Sequence, residues 1–231
     1  TSARGFLGQV LPFDVGPKLR TIMESRPAAW IFTSATLAVA GDFAHFAARL
    51  GVAGRCDTLA IDSPFDYPQQ ALLYLPAGLP DPSTPQHGAA VIETAASLAE
   101  LSGGGAFLLF TSHRALAQAA RQLRERWGTG PAAKLQILVQ GESPREQLLR
   151  DFREHGNAVL LGTASFWEGV DVPGRALRLV VIDRLPFASP EDPVLRARAR
   201  NLREQGGNPF NDFQVPEAAI ALKQGVGRLI R

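Results

Sequence analysis

From about residue 105 onward the chain alternates short apolar runs with polar, amphipathic stretches. The apolar runs predict four strands, at residues 106–110, 134–139, 158–161 and 177–182. The stretches between them predict helices at residues 114–127 and 143–155, the second opening on a capping-box order, Ser-Pro-Arg-Glu. Such alternation is typical of βαβ units, so the pattern predicts an α/β fold with a mainly parallel sheet and helices on both faces.

The first hundred residues follow a less regular pattern. We expect strands at residues 30–32 and 71–75, a helix at 42–50, and a helix at 89–101 after a loop rich in proline and glycine. Near the other end, residues 190–205 predict a basic helix. A last helix is expected from Pro216 onward, carrying the terminal stretch of the chain.

The composition is that of an ordinary globular protein, with 45% apolar and 20% charged residues. No apolar run approaches the ~18 residues of a membrane span, so we expect a soluble, cytoplasmic protein without a membrane partner. The net charge of +2 suits a polyanionic partner without demonstrating one. Cys56 is the single cysteine, which excludes an internal disulfide or a multi-cysteine cluster within this sequence. The start at Thr1, without Met or an apolar leader, indicates a segment of a longer protein.

Small hydroxyl residues follow two of the predicted strands. Thr111 and Ser112 follow the strand at 106–110, and Thr163 follows the strand at 158–161. Their O–H and N–H groups can bind phosphate oxygens, which is a way to hold a nucleic-acid backbone without reading its sequence. Ser112 also has a simpler interpretation, as the N-cap of the next helix.

The stretch 162–174 is unusual because it places aromatic, acidic and glycine residues in one connecting loop. Loops tolerate such residues mostly when they serve a site. The carboxylate of Asp171 can accept hydrogen bonds from a ribose hydroxyl, and Gly169 permits close backbone approach. Phe166 and Trp167 have an equally simple interpretation, as plugs at the edge of the sheet.

The last eight residues carry a second unusual pattern. Gln224, Gly227, Arg228 and Arg231 are spaced i, i+3, i+4 and i+7, so a helix would place them on one face. Two arginines a turn apart repel each other unless an anion lies between them, and a triphosphate is such an anion. The alternative is a pair of surface ion bridges to acidic neighbours.

Four strings occur in a recognisable order: TSATL at 33–37, LFTSHRAL at 109–116, GTASFWEGVDVPG at 162–174 and QGVGRLIR at 224–231. They resemble motifs III, IV, V and VI of the XPD/DinG helicases of superfamily 2, and the segment 63–67 is similar to one in the bacterial DinG-like branch. The resemblance implies a RecA-like domain of the P-loop NTPase type. It also implies the C-terminal motor domain of an ATP-dependent DNA helicase, moving 5′-to-3′ on single-stranded DNA in DNA repair.

The resemblance further implies a role for each matching residue. Gln224, Arg228 and Arg231 are expected to be catalytic, with both arginines directed at ATP. The nucleotide-binding residues are expected to be Glu168, Gly169, Asp171 and Gly227. The DNA-binding residues are expected to be Thr111, Ser112 and Thr163, with Phe166 or Trp167 stacking on a base or lying against the other motor domain. Ser34, Ala35 and Thr36 are expected to couple hydrolysis to movement.

The sequence also departs from a complete motor, because no Gly-x-x-x-x-Gly-Lys-Ser/Thr stretch occurs. The phosphate loop, the acidic Mg²⁺-binding motif and any iron–sulfur cluster are therefore expected on a missing first motor domain. Residues 1–40 would lie at the seam with that domain, and residues 41–231 would form the second RecA-like domain. The expected cofactors are ATP and Mg²⁺, the expected partners are single-stranded DNA and the missing domain, and this chain alone is expected to be inactive.

A different class of function is a degenerate RecA-like platform that binds single-stranded nucleic acid or protein without hydrolysing ATP. The arginine pair near the terminus argues against this platform. The absence of a Gly-x-Ser-x-Gly elbow and of a Gly-x-Gly-x-x-Gly stretch argues against a hydrolase of the α/β type and a dinucleotide enzyme.

Overall fold

A computed structural model describes residues 12, 14–130, 133–163, 166, 172 and 176–229. The chain divides into two compact units, one made of residues 1–61 and 187–220 and the other of residues 62–186 and 221–231. The helices are, in chain order, α1 (Gly16–Glu24), α2 (Ala44–Leu50), α3 (Tyr67–Gln70), α4 (Pro85–Leu101), α5 (His113–Trp127), α6 (Arg145–Glu154), α7 (Pro193–Glu204) and α8 (Val215–Val226), with a π-helical turn at Phe210–Gln214. The strands are β1 (Ala106–Leu109), β2 (Gln136–Val139), β3 (Ala158–Gly162) and β4 (Leu179–Ile182).

The four strands form one sheet in the order β2-β3-β1-β4, and every pair is parallel. All residues of β1 and β3 are buried, whereas those of β4 are half-buried, as expected for inner and outer strands. The central register pairs Ala106 with Val159 and Leu109 with Gly162. The prediction of a parallel α/β sheet is confirmed.

Successive residues of β1 point to opposite faces of the sheet, and each face has its own core. Ala106 and Leu108 pack with the apolar residues of α4 and α5, while Phe107 and Leu109 pack with those of α6. The rings of Phe107 and Phe152 lie 4.7 Å apart at their centroids, a normal aromatic contact. Helices therefore cover both faces, as predicted.

Two predicted strands do not form. Residues 30–32 and 71–75 belong to no strand within the described part of the chain. Both segments expose apolar side chains: Ile31 is 84% accessible and Leu72 is 87% accessible. An apolar run is not sufficient for a strand, because a strand also requires a neighbour to complete its hydrogen bonds.

The unit made of residues 1–61 and 187–220 is held by polar contacts among short helices. Arg20 Nε donates to the Gly51 carbonyl at 2.9 Å, and Glu217 accepts from both His45 and Arg49. Gly51 closes α2 with a φ of 72°, and a Cβ there would lie 2.6 Å from the Gly16 carbonyl oxygen. This turn therefore requires glycine.

Of the helices that the structure describes, none combines the length and apolarity that crossing a membrane requires.

Candidate functional site

Polar residues follow all four strands at the carboxyl end of the sheet. Gln140 follows β2, Thr163 follows β3, and Asp183 follows β4. After β1 the chain continues through Phe110, whose N–H still donates to the Gly162 carbonyl at 2.8 Å, and reaches Thr111. Neighbouring parallel strands lie ~4.8 Å apart, so these ends form one continuous edge, the usual ligand position in open α/β sheets.

Thr163 is held at this edge by Gln140. The Gln140 side-chain oxygen accepts the Thr163 backbone N–H at 2.6 Å and its hydroxyl at 3.0 Å. Thr163 is only 7% exposed, so these hydrogen bonds satisfy polar groups that the fold removes from water. The structure places Thr163 at the sheet edge, where a contact with a phosphate was predicted; the contact itself stays a prediction.

Thr111 is held by Asp183 in a similar way. The carboxylate accepts the Thr111 backbone N–H at 2.9 Å, and its other oxygen lies 3.4 Å from the Thr111 hydroxyl. Burial raises the pKa of Asp183 above its ordinary value, and the hydrogen bonds from Thr111 oppose that rise. A partly desolvated carboxylate thus lies directly beside a predicted DNA contact.

Ser112 is the N-cap of α5, because its side-chain oxygen accepts the Ala115 backbone N–H at 3.2 Å. The simpler interpretation of this residue is therefore confirmed. The cap uses only an acceptor position, so the Ser112 hydroxyl keeps its hydrogen for donation. A role in binding phosphate at the start of α5 stays a prediction.

Phe166 corrects one prediction. Its side chain is 1% exposed, packs in the core on the α6 face of the sheet, and lies under the Arg145 guanidinium at 5.7 Å from the ring centroid. A Cβ on Gly162 would lie 2.9 Å from this ring, which shows how tightly it fits. Phe166 is a plug at the sheet edge and is not placed to stack on a base.

The other predicted residues of this loop, Trp167, Glu168, Gly169 and Asp171, lie outside the described residues. Their predicted roles in binding nucleotide or DNA stay predictions.

The terminal motif lies at the end of the last helix. Helix α8 ends at Val226, so Gln224 is helical while Gly227 and Arg228 lie in a turn. In this turn the Leu229 N–H donates to the Val226 carbonyl at 3.0 Å, and the Leu229 side chain packs against the core on the α6 face. The Gly227 N–H still donates to the Lys223 carbonyl at 2.9 Å. Arg231 lies outside the described residues, so the shared face of the four residues stays a prediction.

Ser34, Ala35 and Thr36 form a polar turn in the unit that contains residues 1–61. The Ser34 hydroxyl oxygen accepts the Thr36 backbone N–H at 3.1 Å and lies 3.2 Å from the Thr36 hydroxyl. Thr33 through Ala35 line a cavity of about 930 Å³ whose other walls are largely apolar. The predicted role of these residues in coupling ATP hydrolysis to movement stays a prediction.

Gln140 and Asp183 are the edge residues that sequence reasoning missed. Each is the first polar residue after a predicted apolar strand, which is the same signal that identified Thr163. Neither Gln140 nor Asp183 belongs to the four motifs that resemble those of the helicases.

Residues 95–231 match the family described as the helicase C-terminal domain. The chain is 44% identical over its whole length to the ATP-dependent DNA helicase YoaA of Escherichia coli, of which it covers 35%. It is 39% identical over its whole length to the ATP-dependent helicase DinG of Mycobacterium tuberculosis, covering 34% of that protein. It is also 35% identical over 95% of its length to the 3′-5′ exonuclease DinG of Bacillus subtilis, covering 24% of that protein.

The matched span is more than half of the chain, so the chain belongs to the helicase C-terminal domain family. The predicted resemblance to the XPD/DinG helicases and the predicted RecA-like α/β fold are confirmed. The chain spans about a third of the length of the curated helicases that it matches.

Proposed function

We propose that this chain is the second motor domain of an ATP-dependent DNA helicase that moves along single-stranded DNA, 5′-to-3′, in DNA repair. The observation that carries the proposal is the gathering of Thr111, Ser112 and Thr163 at one carboxyl edge of a parallel sheet in a member of this helicase family. Hydroxyl and N–H groups in such a place bind phosphates of any sequence. The names of the relatives, ATP-dependent DNA helicases, support the same activity.

The proposal also includes a first motor domain that lies outside the sequence of this chain. The chain covers only 35% of the Escherichia coli relative, and the unit that contains residues 1–61 exposes apolar side chains that a partner would cover. Ile31, Leu59 and Ile61 are 84%, 79% and 85% accessible. All three line the same cavity as residues 33–35. We place residues 1–40 at the seam with that domain and residues 41–231 in the second motor domain.

ATP and Mg²⁺ would bind in the cleft between the two motor domains, within a cytoplasmic protein. The Mg²⁺ would be held mainly by the acidic motif expected on the first domain, together with the phosphates. This chain would contribute Gln224, Gly227, Arg228 and Arg231 to the phosphate side. Glu168, Gly169 and Asp171 would lie on the ribose side.

The two arginines have the clearest chemical task in this arrangement. Negative charge builds up on the transferring γ-phosphoryl oxygens, and a guanidinium held against them stabilises the transition state more than bound ATP. The two domains would close around ATP and open after hydrolysis. This two-state motion would move their DNA contacts along the strand.

The arginine assignment is tested in the full-length protein. Replacing Arg228 or Arg231 by Ala should lower DNA-stimulated kcat by about a thousandfold, the usual scale for such arginines. Circular dichroism and binding to single-stranded DNA should stay close to those of the wild type. Arg121→Ala, which removes an exposed arginine of α5, is the matched control and should hydrolyse ATP normally. Normal hydrolysis in both test variants would remove the arginines from the catalytic site.

A further inference from the structure

The carboxyl edge of the sheet repeats one hydrogen-bonding arrangement. The inner strands β3 and β1 lead into Thr163 and Thr111, and the outer strands β2 and β4 lead into Gln140 and Asp183. On each side of the edge, the outer side chain receives both the backbone N–H of its threonine and the threonine hydroxyl. We refer to these two pairs, Gln140 with Thr163 and Asp183 with Thr111, as the edge braces.

The braces matter because each threonine lies just beyond the paired part of its strand. There its N–H no longer has a ladder partner. An unpaired N–H would be costly at the buried Thr163, whereas Thr111 is exposed. The brace supplies that partner and so fixes the backbone. The hydroxyl carries one hydrogen and rotates freely about its bond, so it can turn from the brace toward another acceptor.

A buried histidine lies close to the backbone of Asp183, behind the brace. His87 in α4 is 6% exposed, and its Nδ1 donates to the Pro80 carbonyl at 2.8 Å. Its Nε2 lies 3.5 Å from the Asp183 backbone carbonyl oxygen. The start of α4 therefore packs against the end of β4.

We propose that Gln140 and Asp183 are positioning residues of the nucleic-acid interface. Each holds the backbone of its threonine, so that the hydroxyl can turn toward a DNA phosphate while the strand end stays in place. This inference rests on the proposed function, because the phosphate backbone of single-stranded DNA is the ligand.

The role requires an acceptor oxygen and not a negative charge. A neutral amide holds Thr163 at 2.6 Å, while a carboxylate holds Thr111 at 2.9 Å. A charge next to a phosphate path would in fact repel the DNA. An amide at position 183 should therefore preserve the brace, and an alanine should abolish it.

The experiment measures ATP hydrolysis by the full-length protein as oligothymidine is titrated. Asp183→Ala and Gln140→Ala should each raise the DNA concentration for half-maximal stimulation about tenfold, the effect of losing about one such contact. At saturating DNA, kcat and the KM for ATP should stay within about twofold of the wild type, since the braces touch no reacting group. Asp183→Asn should restore half-saturation to within about twofold. Glu125→Ala, which removes an exposed carboxylate of α5, is the matched control.

Three results would overturn the inference: half-saturation unchanged in both alanine variants, a loss in Asp183→Asn equal to that in Asp183→Ala, or a fall in kcat with unchanged half-saturation. If thermal melts show that Asp183→Ala does not fold, the Gln140→Ala variant decides the same question at the other brace. A wild-type protein whose hydrolysis DNA does not stimulate would instead contradict the proposed function itself. The two failures are therefore distinguishable.

Discussion

Glu100 and Asp183 are both acidic, yet their surroundings move their pKa values in opposite directions. Glu100, in α4, accepts hydrogen bonds from Lys134, Arg126 and Trp127 at 2.6 to 2.8 Å. These three donors, Lys134 first, lower the pKa of Glu100 from 4.5 to about 2. Burial raises the pKa of Asp183, and the opposing contributions of Thr111 and Arg184 do not cancel that rise.

The lowered pKa of Glu100 predicts how stability depends on pH. A carboxyl group whose pKa is lower in the folded state stabilises that state above its unfolded pKa, and the contribution is lost as pH falls toward the folded pKa. The difference in free energy of unfolding between wild type and Glu100→Gln should therefore be constant above about pH 5.5 and should narrow from about pH 4.5 to about pH 2, the folded pKa of Glu100. Urea unfolding at several pH values measures it.

The matched control for this prediction is Glu125→Gln, because Glu125 is an exposed residue of α5. The free energy of unfolding of Glu125→Gln should differ little from that of the wild type at every pH. A Glu100→Gln difference that stays the same across the whole range would show that the three donors do not stabilise the carboxylate.

At the residue scale, the sequence predicted that Thr111 and Thr163 follow strands at the sheet edge, but not which residues hold them there. Thr111 and Asp183 are 72 residues apart and meet because β4 lies beside β1. The strand order cannot be read from the apolar runs, since each run is compatible with any neighbour. Phe166 shows the same limit, because its burial depends on the space left beside Gly162 and α6.

At the scale of elements, Arg178 ties together three segments at the amino end of the sheet. It lies just before β4, and its guanidinium donates to the carbonyls of Ser102, Gly103 and Gly156 at 2.9 to 3.0 Å. Gly105 passes so close that a Cβ there would lie 2.8 Å from the Arg178 Cζ. The Arg178 guanidinium therefore joins the end of α4 to the turn before β3.

Replacing Arg178 by Met should therefore destabilise the chain by about 1–2 kcal/mol, the usual net worth of hydrogen bonds from an exposed charged group to otherwise hydrated carbonyls. The urea midpoint followed by circular dichroism measures the change. Arg150→Met, which removes an exposed arginine of α6, should change stability by less than about 0.5 kcal/mol. Equal effects in the two variants would mean that Arg178 does not join these segments.

The sequence predicted the elements with strong periodic patterns closely. It predicted less well the first residues of helices whose start depends on capping. Helix α5 spans His113–Trp127 and is closed by Gly128, as predicted. Helix α4 begins at Pro85, earlier than expected, because Pro is well accommodated in the first helical turn. Helix α6 begins after Pro144 instead of after a Ser143 cap, so the predicted capping box is wrong.

At the scale of the whole molecule, the account depends on a partner domain. The chain belongs to the helicase C-terminal domain family and spans about a third of the helicases that it matches. Under the proposed function, the phosphate loop lies on the first motor domain. The exposed apolar residues 30–32 are consistent with a segment whose neighbours lie on other sequence. The order of the motifs predicted the family, and the family match confirms that part of the prediction; the partner domain stays a proposal.

The most direct test is ATP hydrolysis with and without single-stranded DNA, measured side by side for the full-length protein and for this chain alone. The account predicts that only the full-length protein hydrolyses ATP and that single-stranded DNA accelerates it. Hydrolysis by this chain alone would contradict the division of the nucleotide site between two domains. A full-length protein that binds single-stranded DNA but does not hydrolyse ATP would contradict the motor and favour a binding platform.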